Sequence, residues 1–395
     1  MQMAASIIIS FVVAFVSTWI IYGGVLNFAV KHGIVDNPDA RKLQRVPVPV
    51  LGGVTVFVGI LVVSLLGQFF LANSHNMAVY VIAMTAMLCV GTVDDTRNLT
   101  PTVRFILEIA AVLFVIYFGH IKIDNFFGLW GHHSIPDYLA VPLTVFASVG
   151  IMNAINLIDG VDGYSSGFGA MACTVFAIMF YVLGNQTMMI IAVAAEGALI
   201  PFFLYNVFGS KSKMFIGDGG TLLLGTIMAL FVMSILTTNS ASNVLMEKGV
   251  GLVPFTLSVL AVPVFDTLRV MSARMINGMS PFRPDRLHLH HLFIEMGFSH
   301  VGTTVSLILA DLMVVVAWFV AYLCGASINV QLYIVLALAI LETFGFYSFV
   351  KLQQSRNSAI YQWLLRVGEA SHIERKGFWG WCATSRSPTS VVPNR

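Results

Sequence analysis

The sequence predicts an all-α polytopic integral membrane protein with about eleven transmembrane helices, a periplasmic amino terminus and a cytoplasmic carboxyl terminus. Of the 395 residues, 57% are hydrophobic and only 10% are charged, and the mean hydropathy is +0.86. Soluble domains carry about 25% charged residues, so this composition excludes a soluble globular protein. The four cysteines lie far apart in the chain, without a C-x-x-C pair. This spacing indicates neither a disulfide framework nor a zinc site.

Eleven apolar stretches are long enough for a helix to cross about 30 Å of hydrocarbon. They lie near residues 5–30, 51–72, 77–93, 104–120, 138–158, 165–184, 187–205, 218–238, 249–269, 303–325 and 329–350. The first stretch lacks a basic segment before it and is long for a signal peptide, so we interpret it as a retained span. We expect one membrane domain over residues 1–350 and a polar cytoplasmic tail over 351–395, in which Trp379 and Trp381 suit the membrane interface.

The distribution of positive charge predicts the orientation of these spans. An odd number of spans places the two termini on opposite sides, and cytoplasmic loops carry an excess of Lys and Arg. All of the 21 lysines and arginines except Lys122 and Lys248 lie in the tail, in every second loop or at the adjoining span ends. The loops concerned are 31–50, 94–103, 159–164, 206–217 and 270–302. We therefore expect these five loops on the cytoplasmic side.

Two adjacent carboxylates end the third apolar stretch. Asp94 and Asp95 lie in the segment GTVDDTRNLTP. Adjacent carboxylates repel each other, so they persist best beside a divalent cation, a basic group or water. By themselves, they are equally consistent with a solvated loop.

A polar stripe leaves the end of the fifth stretch, in the segment NAINLIDGVDG. Its members Asn153, Asn156, Asp159 and Asp162 are each separated by three residues, and this spacing keeps side chains on roughly one face of a helix. An ordinary Asp-Gly helix end is the alternative. Four polar residues in register at the end of such an apolar span favour a functional site.

The segment FIGDGGT precedes the eighth stretch. Glycines beside Asp218 at a helix start leave backbone N–H groups open for phosphate, while the carboxylate can hold a metal. The Lys-Ser/Thr pair of a Walker A loop is absent, and helix capping is the alternative.

The segment SPFRPDRLHLHHL lies in the longest internal cytoplasmic loop. It places His288, His290 and His291 behind Arg283 and Arg286. Arginines so near favour phosphate binding or proton transfer over a metal-binding tract. A polar loop that happens to be rich in histidine is the remaining alternative.

Together, these loops offer carboxylates, amides, arginines and histidines on one membrane face. Mg²⁺ is typically bound by one or two carboxylates together with substrate phosphates, so we expect Mg²⁺, or Mn²⁺ in its place. The chemistry that this favours is phosphoryl transfer, in which positioning and charge neutralisation supply most of the catalysis. The membrane setting suggests a lipid substrate, and we expect no nucleic-acid partner.

The chain resembles the polyprenyl-phosphate N-acetylhexosamine-1-phosphate transferases (glycosyltransferase family 4). The motifs VDD, NxxNxxDGxDG, FxGDxG and HxHH carry the resemblance, which covers about residues 1–350. Within the family, GMSPFRPDRLHLHH is most similar to the branch that transfers GlcNAc-1-phosphate from UDP-GlcNAc to undecaprenyl phosphate. The resemblance therefore implies these two substrates, a bacterial inner-membrane location, an active site on the cytoplasmic face, and a role in the first lipid-linked step of O-antigen or cell-surface polysaccharide synthesis. A second copy of the chain is a further candidate partner.

The resemblance also implies roles for individual residues. The expected catalytic residues are Asp94, Asp95 and His288, where Asp94 would deprotonate the lipid phosphate. The expected metal site consists of Asp218, Asn156 and Asp95. The expected substrate-binding residues are Asn153, Asp159, Asp162, Asn206, Phe215, Arg274, His290 and His291, with Phe215 packing on uracil and Arg274 and the histidines holding the diphosphate.

Two alternatives remain open at this stage. One keeps the family and changes the donor to UDP-GalNAc, UDP-N-acetylfucosamine or UDP-MurNAc-pentapeptide. The other is a secondary transporter, whose coupling carboxylates would lie near the bilayer midplane. Glu196 and Asp311, which fall within apolar stretches, are the residues that favour a transporter, and no internal repeat supports it.

Overall fold

The computed structural model describes residues 2–38, 46–70, 76–209, 212–281 and 285–372. These residues form helices and two short antiparallel strand pairs. The helices are α1 (Gln2–Lys31), α2 (Gly52–Phe70), α3 (Met77–Arg97), α4 (Pro101–Gly119), α5 (Asp137–Leu157), α6 (Tyr164–Val182), α7 (Gln186–Phe208), α8 (Gly217–Ile235), α9 (Ser240–Glu247), α10 (Leu252–Val259), α11 (Ala261–Ile276), α12 (Leu289–Glu295), α13 (His300–Leu323), α14 (Ile328–Ile340), α15 (Phe346–Ser355) and α16 (Ala359–Ala370). A π-helical segment, Leu341–Gly345, joins α14 to α15. Strand β1 (Val35–Asp36) pairs with β2 (Val48–Pro49), and β3 (Asn125–Leu129) pairs with β4 (His132–Ser134).

The predicted polytopic helical class is confirmed. Nine helices of the described chain are long and apolar enough to cross a membrane, and the bent pair α10–α11 would make ten. Helix α2 is not among them, because its apolar stretch Gly52–Gly67 is shorter. The count of eleven spans and the orientation of the termini stay predictions.

One predicted span differs in shape from the sequence interpretation. The stretch at 249–269 was expected to form a single helix, but the chain bends by 74° between α10 and α11. A new helix start exposes backbone N–H groups that need acceptors. Asp311 of α13 supplies one, since its Oδ1 accepts a hydrogen bond from the Val262 amide at 2.8 Å. This carboxylate is fully buried, so a cap from within the protein makes the break tolerable.

The core of the bundle is α8. Its apolar window is 94% buried, the highest share among the candidate spans of the described chain, and α2, α3 and α5 pack around it. Gly91 allows α3 to approach the first turn of α8, because an added Cβ would collide with the Asp218 backbone. Small residues permit such close helix contacts in membrane proteins. The carboxyl end of α3 therefore lies against the amino end of α8.

The two ends of the bundle have different constructions. The four motif loops meet at one end, where they enclose a common cavity. The opposite end is covered by β3 and β4, whose connecting turn contacts the first turn of α14. There the Trp130 amide donates to Asn329 Oδ1 at 2.8 Å, and the Gly251 amide donates to Gln331 Oε1 at 3.0 Å. The polar motif loops and the β3–β4 pair therefore lie at opposite ends of the bundle.

The predicted tail begins within α15 and continues as the amphipathic helix α16. The loop after α16 packs on the turn before α13, where the Ser299 amide donates to Ser371 Oγ at 3.0 Å. Trp379 and Trp381 lie outside the described residues, so the interfacial placement expected for them stays a prediction.

Candidate active site

The motif loops enclose a cavity of about 640 Å³. Most of the site residues expected from the sequence line it, namely Asp95, Asn156, Asp159, Asp162, Asn206, Phe215, Asp218, Arg274, His288, His290 and His291. Asp94 and Asn153 are not among the lining residues. They belong to a neighbouring cluster on α3, α4 and α5.

Asp95 and Asp218 meet at the first turn of α8. Asp95 accepts hydrogen bonds from the amides of Asp218, at 2.9 Å on Oδ1, and Gly219, at 3.1 Å on Oδ2. Gly217 has a φ of +73°, and an added Cβ there would lie 2.6 Å from Asp95 Oδ2. The glycine thus lets the chain turn tightly against Asp95. Negative charge is favourable at a helix amino terminus, which helps two carboxylates to stand side by side.

Asn156 connects these carboxylates to α4. Its Nδ2 donates to Asp218 Oδ1 at 2.7 Å and to Thr221 Oγ1 at 2.8 Å. Its Oδ1 accepts from Arg104 Nη2 at 2.9 Å. Asn156 therefore orients Asp218 through its nitrogen and turns its oxygen away from that carboxylate, toward the guanidinium.

Arg104 is the centre of the neighbouring cluster. It donates to Glu108 Oε1 at 3.0 Å, Asn153 Oδ1 at 3.3 Å and Asp94 Oδ2 at 3.5 Å. Glu108 is fully buried, and its Oε2 accepts from Asn153 Nδ2 at 2.6 Å. The Leu99 amide holds Asp94 Oδ1 at 2.7 Å. One guanidinium thus joins α3, α4 and α5.

The sequence interpretation missed Arg104 and Glu108 as site residues. It used Arg104 only as a positive charge that sets orientation. The signal was present, since an Arg followed by Glu four residues later forms a helix-surface pair. Such a pair is unusual in the apolar segment PTVRFILEIA.

The two carboxylates of the DGxDG segment have different surroundings. Ser165 Oγ donates to Asp159 Oδ1 at 2.6 Å, and burial raises the pKa of Asp159 to about 7. Burial also acts to raise the pKa of Asp162, but the hydrogen bonds and charges of His300 and Lys213 outweigh it and lower that pKa below its usual value. The Lys213 Nζ lies 2.6 Å from Asp162 Oδ2. The side chains at 159 and 162 therefore titrate in different pH ranges.

Asn206 and Phe215 shape the wall of the cavity. Asn206 accepts from the Gly163 amide at 2.7 Å and donates to the Met214 carbonyl at 2.9 Å. Both ends of its amide thus tie two motif loops together. The Phe215 ring lines the cavity, with Lys213 Nζ 5.3 Å from its centroid.

The histidine segment folds over the DGxDG loop. Burial lowers the pKa of His290 well below its usual value and that of His291 to about 4, so both are neutral at pH 7. An added Cβ at Gly160 would collide with the His290 ring. His288 and His290 lie parallel, with centroids 5.8 Å apart. Because Gly160 has no side chain, the His290 ring can pack against the DGxDG loop at the cavity.

Arg274 is held in a fixed position beside these histidines. Its Nε and Nη2 donate to the two oxygens of Asp285 at 2.7 and 3.0 Å, and its Nη1 donates to the Pro281 carbonyl at 2.5 Å. Such bidentate pairs are strong and geometrically specific. Burial acts to raise the pKa of Asp285, but the hydrogen bond from Arg274 brings it below its usual value. The α11 end thus carries a preset cation at the cavity wall.

The donor set fits a cation that substrate phosphates help to bind. Over the described ranges, no group of three or more His, Cys, Asp or Glu side chains is arranged to hold a metal ion. Asp95 and Asp218 nevertheless bring two carboxylates to the cavity. Mg²⁺ commonly takes one or two carboxylates and completes its coordination with waters and substrate phosphates.

Comparison with known proteins finds similarity to one family. Residues 77–236 match the model described as glycosyl transferase family 4. The chain is 28% identical over 344 residues to a Bacillus subtilis protein named probable undecaprenyl-phosphate N-acetylglucosaminyl 1-phosphate transferase, with 85% of this chain and 89% of the relative covered. It is 28% identical to the Salmonella typhi undecaprenyl-phosphate alpha-N-acetylglucosaminyl 1-phosphate transferase and 27% identical to that of Escherichia coli K12, each over 288 residues, which cover 71% of this chain and 75% of the relative.

Proposed function

Because the chain belongs to glycosyl transferase family 4, we propose that it transfers GlcNAc-1-phosphate from UDP-GlcNAc to undecaprenyl phosphate. The products would be UMP and undecaprenyl-diphosphate-GlcNAc. We further propose that this is the first lipid-linked step of O-antigen or another cell-surface polysaccharide, carried out at the cytoplasmic face of the bacterial inner membrane.

The observation that carries the proposal is the connection between two clusters. The cavity offers an aromatic ring, a fixed arginine and histidines, which suit a nucleotide diphosphate. The Arg104 cluster lies beside it and includes Asp94. Asn156 bridges them, since it bonds to Arg104 on one side and Asp218 on the other. Two phosphate-bearing substrates would thus approach Asp218 from different directions, one from the cavity and one from the Arg104 cluster.

The position of the Arg104 cluster suits a lipid acceptor. The adjoining surface of α4 is apolar and exposed, with Ile106 57% and Phe105 48% accessible. In a membrane, such a surface faces lipid. An acceptor whose chain stays in the bilayer can therefore bring its phosphate beside the Arg104 guanidinium, whose positive charge favours an anion there.

The donor would occupy the cavity that the motif loops enclose. Phe215 would pack against the uracil ring, and Arg274 would hold the diphosphate together with His288, His290 and His291. Asp95 and Asp218 would hold Mg²⁺ or Mn²⁺, which would supply charge neutralisation between the two anionic substrates. The His290 and His291 rings, neutral at pH 7, can donate N–H groups without adding positive charge.

The acceptor phosphate is itself the proposed nucleophile. One of its oxygens attacks the β-phosphorus of UDP-GlcNAc, and the bond from that phosphorus to the UMP oxygen breaks. A phosphate monoester has a second pKa of about 6, so it is mostly dianionic at neutral pH. Asp94 then needs to supply only modest base assistance, and its ion pair with Arg104 orients it toward the acceptor.

The test is incubation of membranes containing the protein with undecaprenyl phosphate and a panel of labelled UDP-sugars, followed by mass identification of the lipid product. We expect GlcNAc-1-phosphate incorporation and an equal amount of UMP. Incorporation of GalNAc, N-acetylfucosamine or MurNAc-pentapeptide instead would change the donor and keep the reaction class. A total lack of labelled lipid with every donor would refute the proposal.

Two further measurements separate mechanisms. Direct attack predicts no UMP release from UDP-GlcNAc without lipid, whereas a phospho-sugar trapped on Asp94 or Asp95 would establish a two-step route. If Asp94 acts as a base, Asp94→Asn should lose less activity above pH 8 than at pH 6.5, because the acceptor is then already ionised.

The transporter hypothesis loses support from the described residues. Asp311 is used to cap α11, which gives this buried carboxylate a structural reason. Uptake of a labelled solute into vesicles, without incorporation into lipid, would be the observation that revives a transporter.

A further inference from the structure

Asp266, a residue outside the four motifs, holds the first histidine of the HLHH segment. Its Oδ2 lies 2.8 Å from His288 Nδ1 and accepts the Leu289 amide at 3.2 Å. Its Oδ1 accepts two hydrogen bonds from Arg269, at 2.7 Å from Nη2 and 3.2 Å from Nε. Asp266 is 1% exposed and His288 is 4% exposed. The pair is thus shielded from water on the side of α11.

These contacts decide which nitrogen of His288 faces the cavity. The Leu289 amide and the Arg269 guanidinium can only donate, so Asp266 serves them as an acceptor. An ionised carboxylate accepts from His288 as well, which places the proton of the neutral imidazole on Nδ1. The other nitrogen, Nε2, is then left for the cavity that His288 lines. A carboxylate or carbonyl partner commonly selects the tautomer of a functional histidine in this way.

Arg269 keeps this carboxylate from repelling an anionic substrate. Its Nη2 also donates to the Leu287 carbonyl at 2.6 Å, and its guanidinium lies 3.9 Å from the Tyr347 ring centroid. The charge of Asp266 is therefore balanced locally. The cation is held by three different segments, so it does not leave Asp266 to pair with a substrate phosphate.

The bend in the membrane helix makes this arrangement possible. Asp266 lies in the second turn of α11, whose direction changes by 74° from that of α10. Because one oxygen of Asp266 holds both the His288 ring and the first amide of α12, the orientation of the ring is fixed relative to α12. A mere helix cap would need the Leu289 contact alone.

We propose that Asp266 is a positioning residue of the transfer reaction, which holds His288 with Nδ1–H toward α11 and Nε2 toward a phosphate oxygen in the cavity. This inference rests on the proposed function. The neutral ring accepts a proton at Nε2, and the protonated ring donates one there. In either state, Asp266 keeps the same nitrogen at the substrates.

The direct test is nitrogen-15 NMR of the histidine side chains in purified, detergent-solubilised protein, with the His288 signals assigned by their loss in His288→Gln. At a pH where the ring is neutral, the wild-type protein should carry its proton on Nδ1. Asp266→Asn should move the proton to Nε2, because the asparagine nitrogen can donate to Nδ1. A wild-type ring protonated on Nε2 would overturn the inference, whatever the activity.

Kinetics provide the second readout. We expect Asp266→Asn to lower kcat by about 100-fold or more, as when the carboxylate of a catalytic triad is replaced by an amide, while the KM for UDP-GlcNAc changes by less than about threefold, because ring orientation acts on the reaction step. Asp266→Glu restores an acceptor-only group and should recover both the Nδ1–H signal and at least about tenfold of the lost turnover. Asp266→Asn with kcat within about threefold of wild type would overturn the inference.

A matched control is Asp137→Asn. Asp137 pairs with Lys122 at the opposite end of the bundle, with a 79% exposed side chain, so this variant should leave kcat and the His288 tautomer unchanged. If the wild-type protein shows the Nδ1–H tautomer but transfers no phospho-sugar to any lipid, the proposed function fails while the placement of His288 by Asp266 is supported.

Discussion

Asp94 and Asp95 are adjacent in the chain, but their side chains contact different helices. Neighbouring residues on a helix point about 100° apart, so Asp94 faces Arg104 of α4 while Asp95 faces the first turn of α8. The division places one carboxylate beside the exposed apolar surface of α4 and the other in the cavity proposed for the donor. Asn156 joins them through Arg104 and Asp218.

Asp218 is the residue whose charge the proposed reaction needs most. We expect Asp218→Asn to reduce turnover by at least about 1,000-fold, because a neutral amide cannot replace the charge that holds a divalent cation against the diphosphate. Radiolabel transfer to lipid at saturating Mg²⁺ is the measurement.

Two controls accompany this substitution. Asp137→Asn removes a carboxylate from the far end of the bundle and should retain full turnover. Near wild-type activity of Asp218→Asn, or full wild-type activity in EDTA, would remove Asp218 from metal binding.

We expect Asp159 to make binding of the proposed donor depend on pH. Its pKa is raised to about 7, so the side chain is mostly neutral at pH 6 and mostly ionised at pH 8.5. The added negative charge then opposes binding of the UDP-GlcNAc diphosphate, and we expect the Kd to rise by about three- to tenfold across this range. Calorimetric titration at saturating Mg²⁺ measures the change.

In Asp159→Asn, the rise of the Kd between pH 6 and pH 8.5 should be smaller than in the wild-type protein. A wild-type affinity that improves with rising pH would contradict this role. The raised pKa of Asp159 also makes the free energy of unfolding depend on pH. Because an unfolded Asp ionises at about 3.9, this residue makes the folded protein less stable as pH rises from about 4 to about 7.

At the scale of helices, the break between α10 and α11 determines where the cations of the site lie. The residues Asp266, Arg269 and Arg274 all belong to α11, which leaves the direction of the preceding span by 74°. A straight helix over 249–269 would continue along α10. The break therefore brings the guanidinium of Arg274 to the cavity and Asp266 to His288.

The cap at this break is testable through stability. We expect Asp311→Ala to destabilise the protein by about 1–2 kcal/mol, the size of a lost helix cap, because the Val262 amide then has no acceptor from α13. Asp311→Asn keeps an oxygen at that position and should cost less than half as much.

Thermal unfolding in detergent ranks the three proteins when it is followed with a thiol-reactive dye that reacts with buried Cys173, in a background whose other three cysteines are replaced by alanine. Equal melting temperatures for wild type and Asp311→Ala would show that the cap contributes nothing. An Asp311→Asn variant less stable than Asp311→Ala would contradict the assignment of the oxygen as the acceptor.

At the scale of the whole molecule, all four motifs meet at one end of the bundle, and the strands β3 and β4 cover the other end. The positive charges predict that the motif end faces the cytoplasm. That orientation would decide which side of the membrane supplies the proposed nucleotide donor.

Cysteine accessibility tests the orientation. In a variant whose four native cysteines are replaced by alanine, a single cysteine at the exposed His132 should react with an impermeant thiol reagent added outside intact cells. One at the exposed Thr96 should react only after permeabilisation. The opposite pattern would reverse the orientation and move the proposed site out of the cytosol.

The sequence by itself determined the class of the protein and most of the polar residues that the structure brings to one cavity. Apolar length specifies spans because every backbone polar group in hydrocarbon needs an internal partner, which only a helix supplies within one segment. The motifs indicated most of the cavity lining for a similar reason. Polar residues are costly within a bilayer. Polar residues retained beside glycines at span ends therefore indicate a functional site.

The tertiary structure decided how the members of this set face one another. The separation of Asp94 from Asp95, the use of Asn156 by both Arg104 and Asp218, and the pairing of Asp266 with His288 all join residues from different helices. Helix periodicity cannot supply these relations, because they depend on how closely α3, α4, α5, α8 and α11 approach. The cap at the bend likewise joins segments that are distant in the chain, since Asp311 of α13 accepts the Val262 amide at the start of α11.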